Sequence, residues 1–173
     1  MKRLSLAVLT LLACTGAQAA SEKVEMNLVT AQGIGQSIGE VTINETEKGL
    51  EFTPDLKALP PGEHGFHLHA NGSCEPAMKD GKASAAEAAG GHYDPHKTGK
   101  HAGPDGDGHL GDLPVLVVNN EGKAVTPVTA SRLKSLDEIK DKALMIHVGG
   151  DNMSDQPKPL GGGGARFACG VIK

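Results

Sequence analysis

Six of the eight histidines crowd into one glycine-rich stretch, residues 65–112, which also holds a cysteine and ends at an aspartate. These histidines are His67, His69, His92, His96, His101 and His109. Imidazole nitrogens and a carboxylate gathered along a loop are ligands for a borderline divalent cation, and zinc and copper are the candidates. Because ligands must be held still, the rest of the chain is predicted to be a rigid scaffold for this stretch.

The composition favours a scaffold of β-strands. Aromatic residues make up only 2% of the chain, while glycine and proline number 24 and 10. Core packing must therefore come from aliphatic side chains on short elements separated by turns, which indicates an all-β sandwich or barrel. Alternation of apolar and polar residues predicts about eight strands. They lie at 24–30, 38–44, 50–52, 65–70, 113–119, 125–130, 143–148 and 166–172.

The order of these segments predicts some of the architecture. The first three strands follow one another through short turns and form a probable meander. Pro127 cannot donate a ladder hydrogen bond, so strand 125–130 is predicted at an edge. Ser135 and Glu138 fit a capping box, which predicts one short helix to about Lys140. Segments 74–111 and 149–164 lack periodicity, and loops that long are functional or disordered.

Strand 65–70 carries the first two candidate ligands. Residues two apart share one face of a strand. His67 and His69 are therefore expected to project together, whereas Phe66 and Leu68 enter the core. A solvated pair of surface histidines is the alternative. His64 has the opposite parity and is interpreted as a surface or turn residue.

The N-terminus is typical of an exported protein. Lys2 and Arg3 precede the apolar stretch 4–13 and the small-residue cleavage site 17–19, which predicts a signal peptide at 1–19 and one domain at 20–173. The apolar run is about ten residues long, against roughly 20 for a membrane span, so no membrane span is predicted. Leucine and alanine before Cys14 resemble a lipobox, and lipid attachment there is an alternative.

Charge limits the partners of the chain. The formal net charge is −4, and loss of the two basic residues of the signal peptide makes it more negative. This excess of acidic groups disfavours a nucleic-acid or anionic-membrane partner. An anionic substrate would need a local positive patch.

Two cysteines, Cys74 and Cys169, remain after the predicted cleavage, in an oxidising compartment. They are expected to form a disulfide. Its closed loop of almost a hundred residues would stabilise the fold by roughly 4 to 5 kcal/mol in the chain-entropy model. The alternative is a pair of buried free thiols.

Together these motifs resemble the copper/zinc superoxide dismutases, in their bacterial periplasmic branch. The resemblance rests on segments that occur in the family's order with near-family spacing: Gly65–His69, Gly91–His92, His109–Asp112, His147 and Gly164–Gly170. It covers essentially the whole mature chain. It implies a Greek-key β-sandwich or flattened barrel, copper and zinc as cofactors, superoxide as substrate, a periplasmic location, and a monomer or homodimer.

The resemblance also implies which side chains bind each metal. The copper ligands would be His67, His69, His92 and His147, and the zinc ligands His92, His101, His109 and Asp112. His92 would serve both metals as a bridging imidazolate. Four nitrogens in a flattened array suit Cu(II), and three nitrogens with one carboxylate suit tetrahedral zinc. His96 is an alternative to His101 in the zinc set.

The resemblance gives supporting roles to two further residues, and the negative net charge of the chain suggests a role for two lysines. Asp151 would link one ligand of each metal, His67 and His101, unless it is an ordinary solvated aspartate. Arg166 would dock the substrate anion beside copper, and its alternative is a surface ion pair. Lys79 and Lys82 are candidates for guiding the anion inward, and solvated loop lysines are the alternative.

The implied reaction is redox cycling at copper, in which superoxide becomes dioxygen and hydrogen peroxide while His92 releases copper, takes a proton and returns it. A copper/zinc buffering protein on the same scaffold, or a purely structural β module, are the rival functions. Arg166 favours the enzyme, because metal storage needs no anion dock. Residues 161–164 lack the Lys-Ser/Thr of a phosphate-binding loop, so they are assigned to close backbone approach beside the active channel.

Overall fold

The computed structural model describes residues 20–173, so the predicted signal peptide and Cys14 lie outside the described residues. Within this range the chain forms eleven strands and three short 3-10 turns. The strands are β1 (Ser21–Thr30), β2 (Gly33–Thr46), β3 (Gly49–Leu56), β4 (Gly62–His64), β5 (Phe66–His69), β6 (Ala77–Lys79), β7 (Lys82–Ser84), β8 (Leu116–Val118), β9 (Val128–Ala130), β10 (Ala143–His147) and β11 (Arg166–Val171). No helix in residues 20–173 is long and apolar enough to cross a membrane.

Seven strands form one antiparallel sheet in the order β5-β10-β11-β1-β2-β3-β9. The predicted meander β1-β2-β3 is confirmed, and so is the edge position of β9 beside Pro127. Two smaller antiparallel pairs, β4-β8 and β6-β7, complete the fold. The prediction of an all-β fold is therefore confirmed.

The sheet curls around a single aliphatic core. Val24, Met26, Val41 and Ile43 of β1 and β2 are completely buried, as their alternation predicts. The rings of Phe52 on β3 and Phe66 on β5 pack edge to face with centroids 5.9 Å apart. These two strands lie near opposite ends of the sheet order, so the sheet must bend back on itself to bring them together. This curvature gives the flattened barrel.

A β-bulge lies in β2, opposite the second half of β1. One step along β1, from Met26 to Asn27, corresponds to two steps along β2, from Gly39 to Ser37. The alternation of β1 continues past this irregularity. Leu28 packs against the main core, whereas Val29 on the opposite face enters a second small cluster with Cys74 and Cys169.

That second cluster surrounds the predicted disulfide, which is confirmed. Cys74 and Cys169 are joined with an S–S distance of 2.00 Å across 95 residues of sequence. Ala89 and Met145 pack beside the bridge. The disulfide thus fixes the base of the long segment 74–111 to β11.

The predicted helix is reduced to a single 3-10 turn, Leu136–Glu138. The Glu138 carboxylate does accept a hydrogen bond from the Ser135 N–H, as the capping box requires. The chain does not continue as an α-helix, because the next backbone groups form hydrogen bonds with the residue that follows β11. The Asp141 N–H donates to the Ile172 carbonyl at 3.0 Å.

Segment 74–111, predicted to be irregular, contains the hairpin β6-β7. Its turn is Asp80-Gly81, with φ of 50° and 77°. Positive φ at both central residues defines the tight turn that Asp-Gly favours between antiparallel strands. The signal was present in the sequence, but the flanking residues lack the apolar alternation that identifies strands.

Candidate metal centre

The first cluster at the rim of the barrel consists of four histidines. One ring nitrogen from each lies within 4.8 Å of the others, and all four residues are buried: His67, His69, His92 and His147. His67 and His69 project together from β5, as the strand period predicts, and His147 ends the neighbouring strand β10. His92 lies in the long loop, and its main chain forms an isolated antiparallel β-bridge with His69. The Nε2 atoms of His69 and His147 are 3.3 Å apart.

A second cluster lies beside the first and shares residues with it. Ligand atoms of His67, His92, His101 and Asp112 lie within 4.8 Å of one another, and all four are buried. His109 adjoins this group, with its Nδ1 atom 3.3 Å from Asp112 Oδ1. The structure therefore brings together every residue predicted as a ligand of either metal. His96 is exposed on the loop and belongs to neither cluster.

His92 lies between the two clusters. Its Nδ1 atom is 2.9 Å from Asp112 Oδ1, and its Nε2 atom is buried without a hydrogen-bond partner. His67 Nδ1 and His101 Nδ1 are buried without a hydrogen bond too, although the latter lies 3.0 Å from Asp112 Oδ2. An unpaired buried polar atom costs roughly 1–3 kcal/mol. Nitrogens left free in this way suit metal ligands, so the residues present fit a two-metal site.

Hydrogen bonds orient the histidine rings by occupying the other nitrogen. Asp151 contacts two rings, with His67 Nε2 at 2.7 Å from one carboxylate oxygen and His101 Nε2 at 2.8 Å from the other. His69 Nδ1 lies 2.8 Å from the Gly90 carbonyl, and His147 Nδ1 lies 3.1 Å from a loop carbonyl. Such contacts fix which ring nitrogen can face a metal. Asp151 is placed where the resemblance expects it.

Burial keeps two of these imidazoles neutral. It lowers the pKa of His147 to about 3 and, reinforced by the neighbouring His67, lowers the pKa of His92 to about 4, although Asp112 opposes the latter shift. Neutral imidazoles bind metals, whereas protonated rings cannot. Near neutral pH the His147 ring therefore need not lose a proton before a metal enters, whereas His92 must lose its one N–H proton to bind two metals.

The carboxylates have the opposite effect on His101. Burial alone would lower its pKa, but the adjoining carboxylates of Asp112 and Asp151 raise it to about 9. Burial would raise the pKa of each aspartate, yet the adjoining histidine rings hold both well below the usual value. Without metal, the second cluster therefore stores a proton on His101 that a cation must displace.

Arg166 lies beside the four-histidine cluster. It begins β11 and pairs in register with His147. Its guanidinium donates to the carbonyls of Ala86 and Gly90, and Nη1 lies 3.4 Å from a Glu87 carboxylate oxygen. Burial lowers the pKa of Arg166, but guanidinium remains protonated at working pH. The site thus holds a fixed cation next to the histidines.

The two candidate steering lysines lie on the hairpin β6-β7. The Lys79 ammonium is 3.3 Å from the same Glu87 carboxylate that meets Arg166, so part of its charge is compensated. Lys82 is exposed across the turn, opposite Lys79 in the hairpin register. A chain of charges therefore connects the hairpin surface with the arginine.

The prediction for His64 was wrong, because its side chain is only 2% exposed. Its ring nitrogens lie 2.8 Å from the carbonyls of His147 and Pro60. The parity argument assumed one continuous strand, but Gly65 separates β4 from β5. His64 therefore fastens the main chain of a cluster histidine.

Arg132, in the loop after β9, was also missed. It donates to the carbonyls of His109 and Gly108 at 3.1 and 2.9 Å. Nothing in the local sequence distinguishes it from a surface arginine, because its partners are more than twenty residues away.

Gly161 follows the expectation of close backbone approach, since a Cβ there would collide with Asp151 and His101.

Comparison with known proteins places this geometry in a family. The sequence profile of copper/zinc superoxide dismutase matches residues 37–172. The chain belongs to the copper/zinc superoxide dismutase family. A Cu-Zn superoxide dismutase 2 of Salmonella typhimurium is 84% identical over 173 residues, which is the full length of both chains.

Solved structures of copper/zinc superoxide dismutases share the fold. That of Brucella abortus superimposes with a TM-score of 0.88 at 56% identity, covering 89% of this chain and all of the other. The solution structure of a monomeric enzyme from Salmonella enterica gives a TM-score of 0.81 at 82% identity, with the same coverage. The curled sheet and its rim loops are therefore those of the family.

Proposed function

We propose that this protein is a copper/zinc superoxide dismutase that converts superoxide to dioxygen and hydrogen peroxide. The observation that carries the proposal is the pair of buried clusters that share His92, with the Arg166 guanidinium beside one of them. A metal store or a structural module would need neither the shared imidazole nor the fixed cation. Stopped-flow decay of superoxide with copper/zinc-loaded protein tests it, and a decay no faster than with metal-free protein would refute it.

The proposed copper ligands are His67, His69, His92 and His147, and the proposed zinc ligands are His92, His101, His109 and Asp112. When bound, copper would supply one-electron redox chemistry for two superoxide anions, of which one is oxidised to dioxygen and the other is reduced to peroxide and takes up two protons. Burial and the contacts with Asp151 keep the rings of His67 and His101 in place with Nδ1 of each ring free. His92 can hold one of the protons that peroxide takes up. The proton would sit on Nε2, the atom that the fold leaves without a hydrogen-bond partner.

Arg166 is proposed to dock the substrate anion. Its Nη1 and Nη2 groups are held by two carbonyls, so little ordering is needed when the anion arrives. The guanidinium also offsets the negative net charge of the chain at the place where the substrate must enter. His92 and His147 are uncharged near neutral pH, so these two rings add no positive charge to that of Arg166.

Replacing Arg166 with glutamine is expected to slow superoxide decay by about 10- to 100-fold, since a hydrogen bond to a charged group is worth roughly 1.5–3 kcal/mol. Lysine at the same position should recover part of the rate, because it keeps the charge but lacks the planar fork. Decay rates at low salt, normalised to copper content, measure both. A glutamine variant with the wild-type rate would remove Arg166 from the reaction.

Lys79 and Lys82 are proposed to guide superoxide toward Arg166. Changing both to glutamine should lower the rate at low ionic strength and flatten its dependence on salt, because screening acts on the charges that steer the substrate. The exposed Lys57, which follows β3 and is not part of the ion pairs of Glu87 with Lys79 and Arg166, provides a control variant that should keep the wild-type salt profile. An unchanged profile in the double variant would exclude steering by these lysines.

The protein is further proposed to act in the periplasm, after removal of a signal peptide at 1–19 from the domain 20–173. The basic start, apolar stretch and small-residue site support export. The disulfide supports an oxidising compartment. Relatives that are 84% and 81% identical come from Salmonella typhimurium and Escherichia coli, and the bacterial periplasm is an oxidising compartment. A monomer is the proposed form, because an 82% identical relative is described as monomeric.

A further inference from the structure

We propose that Asp155 is a positioning residue that fixes the main chain of His101. This inference rests on the proposed function, in which His101 is a zinc ligand. Asp155 lies in the loop between β10 and β11, 54 residues along the chain from His101. Its carboxylate joins that loop to the segment that carries the proposed zinc ligands.

Both oxygens of the Asp155 carboxylate accept main-chain hydrogen bonds. Oδ2 accepts from the His101 N–H at 2.9 Å, and Oδ1 accepts from the Leu160 N–H at 3.1 Å. The Leu160 contact orients the carboxylate within its own loop, and the other oxygen then fastens the ligand segment. A carboxylate accepting from two amides is held more firmly than a surface side chain making one contact.

The backbone next to His101 depends on carboxylates because it belongs to no sheet. The Gly99 N–H donates to Asp94 at 2.8 Å, and the Ala102 N–H donates to Asp112 at 3.2 Å. Asp94 belongs to the same loop and can move with it, whereas Asp112 ends the loop in a β-bridge with His67 of β5. Asp155 contacts this stretch of main chain from a different part of the fold, so it can set the position of the loop against the barrel.

Asp155 acts together with Asp151, four residues earlier. Asp151 holds the His101 ring at Nε2, and the Met153 N–H in turn fixes Asp151 at 2.7 Å. One loop therefore grips the proposed ligand at its ring and at its main chain. Without Asp155 the ring contact would remain, but the Cα atom of His101 could shift and misplace Nδ1, the nitrogen left for zinc.

Zinc release tests this role. Copper/zinc-loaded full-length mature protein is mixed with excess chromogenic zinc chelator, and the release rate is compared among wild type, Asp155→Ala, Asp155→Asn and Asp107→Ala. Asp107 is a matched control, since its carboxylate is 80% exposed in the same ligand loop and, within residues 20–173, forms its ion pair with the Lys100 side chain. Copper retention and the unfolding midpoint of the metal-free protein are recorded in parallel.

The alanine variant is expected to release zinc about 10- to 100-fold faster, the usual cost of losing a residue that orients a metal ligand. Copper retention of the alanine variant should be unchanged. The zinc release rate of Asp155→Asn should fall between those of the alanine variant and wild type, because asparagine keeps an acceptor oxygen. The zinc release rate of Asp107→Ala should match that of wild type. Wild-type zinc release from Asp155→Ala would overturn the inference. So would a parallel loss of copper and of metal-free stability, which marks a general structural role.

The same measurement separates this inference from the proposed function. Wild-type protein that binds no zinc would overturn the proposed function and this inference with it. Wild-type protein that holds zinc, and that loses it at the same rate when Asp155 is alanine, would overturn the positioning role alone.

Discussion

A His147→Ala variant is expected to lose superoxide dismutase activity by at least about 100-fold, beyond the roughly 10- to 100-fold effect of residues that only orient ligands. His147 contributes one of four buried imidazoles, with Nε2 3.3 Å from that of His69. Alanine leaves the position without a donor and opens the cluster to water. Superoxide decay after copper and zinc reconstitution measures the loss, with copper content determined on the same samples.

His96→Ala is the matched control for this experiment. His96 is a histidine of the ligand loop, but its side chain is exposed and outside both clusters. Its loss should leave activity and both metal contents at wild-type values, which would also exclude it as the alternative to His101. Equal activity in wild type and His147→Ala would contradict the copper assignment.

Removal of the disulfide by a Cys74→Ser/Cys169→Ser double variant is expected to have the largest effect on stability. The bridge closes a loop across 95 residues, for which chain entropy predicts a loss of up to about 4 to 5 kcal/mol in the free energy of unfolding. Denaturant unfolding of metal-free protein measures this, because bound metal would add its own stabilisation. Reduced wild-type protein should unfold at the same midpoint as the variant.

The same double variant should slow the reaction in whatever fraction remains folded. Arg166 lies three residues before Cys169, and its guanidinium is held by the carbonyls of Ala86 and Gly90 in the segment that the bridge anchors. Loosening that segment removes the support of the arginine on both sides.

For the stability prediction, an unfolding midpoint of the double variant equal to that of oxidised wild type would contradict the stabilising role of the bridge.

Sequence reasoning predicted the parts of the site that local backbone geometry determines. His67 and His69 share a face because a strand repeats every two residues. The disulfide followed from having two cysteines in an exported domain. Three further proposed ligands, His92, His101 and His109, lie in a loop without periodicity, so only resemblance to a family indicated that they meet the strand histidines.

The features missed depend on contacts between distant parts of the chain. His64 contacts a carbonyl 83 residues away, and Arg132 contacts one 23 residues away. No local pattern encodes such pairings, because they exist only once the barrel has closed. The bulge in β2 opposite Met26 and Asn27 is similar, since it exists only in the pairing of the two strands. The Asp80-Gly81 turn, by contrast, could have been predicted from the local sequence, because Asp-Gly favours this turn.

Whether one imidazole joins both metals is tested most directly by crystallography of the copper/zinc-loaded protein, with anomalous data collected at the copper and zinc absorption edges. The fold leaves His92 Nε2 free within the four-histidine cluster and sets Nδ1 beside Asp112. We expect a copper peak bonded to Nε2 and a zinc peak bonded to Nδ1 of the same ring. A His92 ring within bonding distance of only one metal would contradict the shared-ligand site and the proton transfer assigned to it.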